Sequence, residues 1–366
     1  MGERATYRRF DWFIPACVAI LVTYGVLFVG SARGVASDRA MKQLLWIGFG
    51  TGAFLAAVYV DYMTLLRHAY ALYAAGMLAL VLVLFTRPIN SARSWFDLGF
   101  FKGQPSEFVK LIWVIAIARL LASHENYKRL SGLWPPLVLT FLPLALVLKQ
   151  PDLGTGMLFI PALFAMLYAA GARARHLALM GGSGVAGAGV LWAVFMHGYQ
   201  KRRILAWLNP EEYSATEAYH MLSARTAIGS GGLFGKGLGR GTLTQLSYVP
   251  ENDTDLIYSC VAEEWGFVGC TALVIVFALL TVSCFAIARR VREPQGRLVA
   301  IGLTAVIAFQ TVVNLWVAVG LLPTTGVPLP FVSYGGSSMI SCFAAVGLIV
   351  NVGMRRHATL ARDPFA

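Results

Sequence analysis

Acidic residues are scarce in this chain: Asp and Glu together number 18 in 366 residues, against 30 Lys and Arg. Charge of either sign is low, at 13%, while hydrophobic residues reach 57% and mean hydropathy is +0.65. A soluble domain of this composition would aggregate, so the soluble classes are excluded. Cysteine is almost absent. Cys17, Cys260, Cys270, Cys284 and Cys342 stand singly in or beside apolar runs, with no CxxC pair and no Cys/His ligand spacing. That excludes a disulfide framework and a zinc site and leaves five small buried hydrophobes. The Walker order GxxxxGK followed by Ser or Thr is missing as well, which argues against a nucleotide P-loop. No internal repeat is evident, and the two halves differ in loop length. The net charge of +12 lies in the loops of a membrane chain, so it speaks for lipid headgroups or an anionic substrate and against nucleic acid.

What the chain does have is apolar runs of spanning length. They lie at Trp12 to Gly30, Leu44 to Val60, Ala69 to Phe85, Phe108 to Ala122, Leu133 to Leu148, Thr155 to Ala170, Leu177 to Met196, Leu256 to Ala288, Leu298 to Leu322 and Ser338 to Met354. The first follows Arg4, Arg8 and Arg9 and ends on Gly30-Ser31-Ala32, which resembles a signal peptide. It is longer than a usual signal core and many spans follow, so an uncleaved first helix is expected. The expected fold is an all-α polytopic membrane protein with about ten transmembrane helices. It forms a single integral membrane domain over 1–366, with one long extracytoplasmic loop, 197–254, between helices 7 and 8. With the N-terminus inside, inner loops and tails hold fifteen Lys and Arg and the short outer loops seven, which places both termini in the cytoplasm. Of the outer cations, Arg33, Arg39 and Lys42 are expected to bind headgroups.

Five of the scarce carboxylates, Glu251, Asp253, Asp255, Glu263 and Glu264, crowd into Tyr248 to Gly269, where the long loop meets a span. Carboxylates at a bilayer edge are expensive to desolvate, so a cluster of them asks for a functional explanation. From the residues alone, Asp255 is either a catalytic carboxylate or a helix N-cap, and Asp253 can serve as the cap instead. Upstream, the stretch from Gly229 to Gly241 reads GSGGLFGKGLGRG. Its amides with Lys236 and Arg240 can cradle a diphosphate, or the glycines simply permit the tight turns of a reentrant loop. Glu107 and Lys110, at i and i+3 after Gln104-Pro105-Ser106, share a helix face as a structural or a substrate-contacting pair. Asp152, in Gln150-Pro151-Asp152-Leu153-Gly154-Thr155, is placed to accept from Lys110 across the bundle. The last outer loop, GVPLPFVSYGGSS from Gly326 to Ser338, carries no charge and reads as structural.

Together, QPSEFVK, QPDLGT, PENDTDLIYSCVAEEWG and GVPLPFVSYGG, in this order and spacing, resemble the signature set of the SEDS family (shape, elongation, division and sporulation), most of all its rod-shape member. The resemblance covers nearly the whole chain. It implies a ten-helix peptidoglycan glycosyltransferase of the bacterial inner membrane that polymerises lipid II on the outer face and pairs with a class B penicillin-binding protein. The family's essential aspartate falls on Asp255, its Glu and Lys on Glu107 and Lys110, and its QPDLGT aspartate on Asp152. Asp253 stands where members have His, and Leu256 where they have Phe. The chemistry implied, a sugar 4-hydroxyl displacing a lipid diphosphate, needs a general base and positive charge on the leaving group. Asp255 is the expected base. Arg203, Lys236 and Arg240 are expected on the diphosphate, with a divalent cation, Mg or Mn, as a further means. Glu263, two turns beyond Asp255, is expected to support it, while Glu251 and Glu264 read as structural. A lipid II flippase, or a non-catalytic scaffold for the penicillin-binding protein, would use the same polar residues between helices.

Overall fold

The computed structural model describes residues 10–33, 38–88, 93–97, 99, 102–123, 129–190, 198–216, 218–246 and 248–355. Among them are fourteen α-helices and one two-stranded ribbon. The helices are α1 (Phe13–Arg33), α2 (Asp38–Tyr59), α3 (Tyr62–Arg67), α4 (Ala69–Val83), α5 (Pro105–Ser123), α6 (Trp134–Lys149), α7 (Leu153–Ala169), α8 (Ala174–Val190), α9 (Gly198–Leu208), α10 (Tyr219–Ser230), α11 (Thr242–Gln245), α12 (Ile257–Arg290), α13 (Pro294–Ala318) and α14 (Gly336–Met354). The ribbon pairs Phe96–Asp97 with Lys102–Gly103 in antiparallel register just before α5. Each apolar run of the sequence carries a helix. Six helices are long and apolar enough to cross a membrane: α1, α2, α6 with its leading 3-10 turn, α12, α13 and α14. Helices α4 and α7 are shorter and apolar, and α5 and α8 occupy the two remaining apolar runs of the sequence.

Helix starts follow local chemistry. Pro105 and Pro294 open α5 and α13, where the missing amide hydrogen is no loss. Asp152 caps α7 by accepting from the Thr155 amide at 3.0 Å, and Glu293 caps α13 by accepting from the Gln295 amide at 2.8 Å. Close helix approach relies on small residues, as expected where lipid supplies no hydrophobic drive. A Cβ on Gly347 of α14 would lie 2.6 Å from the Phe54 carbonyl of α2, and one on Gly302 of α13 would meet Met166 of α7 and Val114 of α5.

Helix α12 has 34 residues, about 51 Å at 1.5 Å per residue, well beyond a hydrocarbon core of about 30 Å. It is broken at Gly266, whose φ of 63° and ψ of −159° lie outside the helical region. The part after the break has spanning length by itself, which leaves Ile257 to Trp265 at one edge of the membrane. The stretch expected as a long loop is mostly helical: α9, α10 and α11 all fall within it, and α10 lies along α12. Met221, Ala224 and Ala227 of α10 are buried at helical spacing, too few and too small to register as an apolar run.

Candidate functional site

The turn that carries Asp255 is held from three sides. Glu251 takes a left-handed conformation, φ 50°, and its carbonyl accepts from the amides of Thr254 and Leu256, both at 3.2 Å. Asn314 of α13 donates its side-chain amide to the Asp255 carbonyl and to the Val327 carbonyl, each at 2.8 Å. Ser333 donates to the Thr254 carbonyl at 2.5 Å, and the Tyr334 amide donates to the Asp253 carbonyl at 2.8 Å. The uncharged last loop therefore supports this turn. Helix α12 starts at Ile257 with Leu256 at its cap and no side-chain cap bond. Neither Asp253 nor Asp255 does the capping that the sequence allowed.

The half-buried Asp255 side chain faces a cavity of about 150 Å³ lined also by Arg203, His220, Glu251, Val317 and Thr324 to Gly326. Helices α9 and α10 close it against the segment after α13. Arg203 donates to the Thr324 carbonyl at 3.1 Å, Trp207 to the Gly320 carbonyl at 3.0 Å and Arg225 to the Val319 carbonyl at 3.1 Å. Gly326 has φ 76°, and a Cβ there would lie 3.6 Å from Asp255 Oδ2, so glycine both makes the turn and leaves the carboxylate room. Burial, then the charge of Glu251, pushes the Asp255 carboxyl up to about 7; Arg203 opposes this, and Asp152 and Asp253 add to it. Burial and Arg203 lower the His220 imidazole, with Glu251 opposing.

A second polar cluster lies between α5, α13 and α14. Lys110 Nζ sits 2.9 Å from Glu107 Oε1, both side chains 3% exposed, and also donates to Gln310 Oε1 at 3.2 Å. Ser341 donates to Glu107 Oε2 at 2.9 Å. Asp152 does not accept from Lys110. Its second oxygen takes Gln104 Nε2 at 2.7 Å and Ser106 Oγ at 3.5 Å, donors at the start of α5, while Lys110, a turn further on, is bonded to Glu107 and Gln310. Burial raises the Asp152 carboxyl, and the Thr155 amide opposes that rise. The two clusters adjoin. Gly154 lies so close to the cavity-lining segment that a Cβ would meet the Thr325 carbonyl at 2.4 Å, and the charge of Asp152 is felt at Asp255.

Lys236, Glu263 and Arg240 lie elsewhere. Glu263, fully buried, accepts from Lys236 Nζ at 2.7 Å, from the amides of Leu243 and Thr244 at 2.9 Å each, and from Thr244 Oγ1 at 2.7 Å. The start of α11 does receive an anion, and it is this carboxylate. The glycine-rich stretch is tightly docked on α12. The amides of Lys236 and Gly237 donate to the carbonyls of Glu263 and Glu264 at 3.0 and 2.9 Å, and those of Phe267 and Val268 donate back to Gly232 and Leu233 at 2.9 and 3.1 Å. The break at Gly266 frees the groups that make these bonds. Only glycine permits the approach: a Cβ on Gly231 would lie 1.9 Å from the Ala262 carbonyl, and one on Gly235 2.2 Å from that of Glu264. Of the two readings the glycine-rich stretch allowed, tight turns and close packing describe these amides, which serve backbone bonds to α12. Arg240 is exposed.

Two of the three cations expected at headgroups have carboxylate partners within the protein. Arg39 pairs with the fully buried Asp253 at 2.5 Å and lies 5.7 Å over the Tyr334 ring, and Lys42 pairs with Asp38 at 2.6 Å. A buried carboxylate requires a partner, and α2 supplies it. The Arg33 side chain lies outside the described residues. Glu264, also fully buried, accepts from Ser31 at 2.5 Å.

The sequence profile of the FtsW/RodA/SpoVE family, described as cell cycle protein, matches residues 11–358. The chain belongs to this family. Stage V sporulation protein E of Bacillus subtilis (strain 168) is 35% identical to it over 357 residues, 93% of this chain and 96% of that protein. Peptidoglycan glycosyltransferase MrdB of Escherichia coli (strain K12) is 34% identical over 337 residues, 92% and 91% of the two chains. Among solved structures, a chain described under the structural coordination of polymerization and crosslinking by a peptidoglycan synthase complex superposes with a TM-score of 0.84 at 32% identity, covering 96% of this chain and 99% of that one. The fold of this family member is thus that of a multi-pass membrane protein of the FtsW/RodA/SpoVE type.

Of the residues singled out from the sequence, Asp255 and Arg203 share one cavity, and Glu107, Lys110 and Asp152 form its neighbouring cluster. His220 and Glu251 were missed as cavity residues. His220 stands alone in the sequence, and only the helix α10 that carries it brings it to Asp255. Among the described residues no three His, Cys, Asp or Glu side chains converge to hold a metal ion.

Proposed function

We propose that this chain is a peptidoglycan glycosyltransferase that polymerises lipid II by β-1,4 transfer during cell elongation and shape maintenance. The single observation that carries the reading is Asp255, a carboxylate pushed up to about 7, facing Arg203 across a small cavity. A general base works best with a pKa near the working pH. Asp255 takes the proton of the acceptor 4-hydroxyl as that oxygen attacks the anomeric carbon of the donor. The bond from that carbon to the diphosphate breaks, and its electron pair leaves on the undecaprenyl diphosphate. Arg203 meets the charge that develops on the leaving group. Lys236 and Glu263 act away from the cavity, by docking the glycine-rich stretch on α12, and Arg240 is exposed on that stretch. Glu107 and Lys110, with Asp152, form the buried polar cluster that adjoins the cavity and holds the helices behind it.

The protein provides no cage for a divalent cation among the described residues, so no step is assigned to one; a diphosphate brings its own oxygen ligands for Mg or Mn. The reading places the chain in the bacterial inner membrane with both termini in the cytoplasm and the Asp255 cavity on the outer face. A class B penicillin-binding protein is the partner that cross-links the product. Purified protein incubated with lipid II tests the polymerase reading. Glycan chains that disappear in Asp255→Asn support it, and an unchanged ladder in that variant refutes it. A flippase would move labelled lipid II across vesicle membranes without lengthening it, and a scaffold would bind its partner while making no polymer.

A further inference from the structure

The glycine-rich stretch Gly229 to Gly241 takes no part in the Asp255 cavity, yet it presents apolar side chains outward: Phe234 is 79% exposed, Leu233 65% and Leu238 47%. In water such a patch is a liability. Its place in the fold supplies the occupant. The amides of Phe267 and Val268 donate to the carbonyls of Gly232 and Leu233 at 2.9 and 3.1 Å, so the stretch lies level with the first residues of the membrane-spanning part of α12. Phe267 and Val268 are themselves 65% and 52% exposed, as the lipid-facing residues of a span are. We propose that the stretch is a re-entrant wedge, with Leu233 and Phe234 inserted into the leaflet of the bilayer that α12 enters at Phe267.

Irregular backbone enters a membrane only where its polar groups are bonded within the protein. Besides the two carbonyls above, the amides of Lys236 and Gly237 are spent on Glu263 and Glu264 of α12, and that of Gly235 donates to the Gly231 carbonyl at 2.9 Å. A loop built for water could leave those groups to solvent. The charges sort in the same sense. Lys236 is neutralised by Glu263 at 2.7 Å, and the exposed Arg240, on the polar side of the apolar tip, has the reach to meet lipid phosphates. The apolar surface is also continuous with the spans. Leu238 lines a cavity of about 350 Å³ together with Leu27 of α1 and Met41 and Leu44 of α2, both spanning helices. A protein partner would have to cover the ends of these spans along with the wedge, whereas the bilayer already does. Through its bonds to Glu263 and Glu264 the wedge fixes the height over the membrane of Ile257 to Trp265, the segment that follows the Asp255 turn.

The full-length protein in phospholipid nanodiscs tests this, with a nitroxide on one introduced cysteine at a time; the five native cysteines are buried and stay unlabelled. Phe234→Cys is compared with Val268→Cys on the span and with Glu212→Cys, exposed between α9 and α10. Collisions with oxygen, which concentrates in the bilayer, are read against collisions with a water-soluble nickel chelate. The label at 234 is expected to shift from the pattern at 212 to the pattern at 268, with oxygen favoured over nickel, and Leu233→Cys should agree. A label at 234 as open to nickel as the one at 212 overturns the wedge and leaves the patch to water or to a protein partner. Adding Gly235→Ala, which drives a Cβ into the Glu264 carbonyl and breaks the docking on α12, should return the 234 label towards the nickel pattern. A label that still favours oxygen there shows that insertion does not depend on the docking, and the wedge is again overturned. Should that double variant aggregate, the labels at 233 and 234 against 212 and 268 decide the matter.

Discussion

At the scale of the residue, the fold favours the protonated form of Asp255, whose pKa rises from the ordinary 3.8 to about 7. Its contribution to stability is therefore present below 3.8 and lost as pH rises through about 7. Activity has the opposite sign, because the base must be ionised, and wild-type polymerisation should rise through pH 7. Asp255→Asn should then be inactive yet melt at a higher temperature than wild type at pH 8, with the difference vanishing near pH 4; thermal unfolding at the two pH values checks it. A variant that melts lower at pH 8 would show that the carboxylate is not under strain. The ion pair of Glu107 and Lys110 obeys another rule. Lys110→Met leaves a carboxylate buried without its cation and should destabilise by about 3–5 kcal/mol, with much of that recovered in the double variant with Glu107→Gln. Equal losses in the single and double variants would argue that the pair is not coupled.

At the scale of the element, the glycine-rich stretch and the broken α12 form one unit. Gly235→Ala would drive a Cβ into the Glu264 carbonyl at 2.2 Å on a backbone with φ 77°, whereas a Cβ on Gly229 meets nothing within 4 Å. Gly235→Ala should release the stretch from α12 and expose it to protease, and Gly229→Ala should digest like wild type. Identical digestion patterns would mean that the docking is not maintained in the membrane. The Arg39 pair joins α2 to the turn that carries Asp255 in a similar way. Arg39→Ala removes the guanidinium from the fully buried Asp253 and should lower both stability and activity, whereas Lys42→Ala breaks an exposed i,i+4 pair and should change either by little. Unfolding of both variants side by side distinguishes them.

For the whole molecule, the orientation read from the loop charges has a direct measurement. All five native cysteines are buried, which leaves introduced ones as the reactive sites. A membrane-impermeant maleimide should label Arg240→Cys in intact spheroplasts and Arg292→Cys only after permeabilisation; the reverse order would invert the topology. Both positions are exposed.

The sequence by itself determined the membrane class, the number of spans and the family. Apolar runs of spanning length and clustered motifs are local signals, and each run did carry a helix. It also marked Asp255, Arg203, Glu107, Lys110 and Asp152, because polar side chains at the edges of such runs are costly and conspicuous. What it left open were the pairings. That Asp152 takes Gln104 and not Lys110, that Arg39 neutralises Asp253, and that Glu263 occupies the start of α11 depend on which donors the packed helices bring within 3 Å first. Nor did the sequence disclose α10, whose few small buried residues make no run, and so His220 stayed unremarked. Only the tertiary structure brings that imidazole to the cavity of Asp255, because the two residues, 35 apart in the chain, line one cavity once α10 packs along α12.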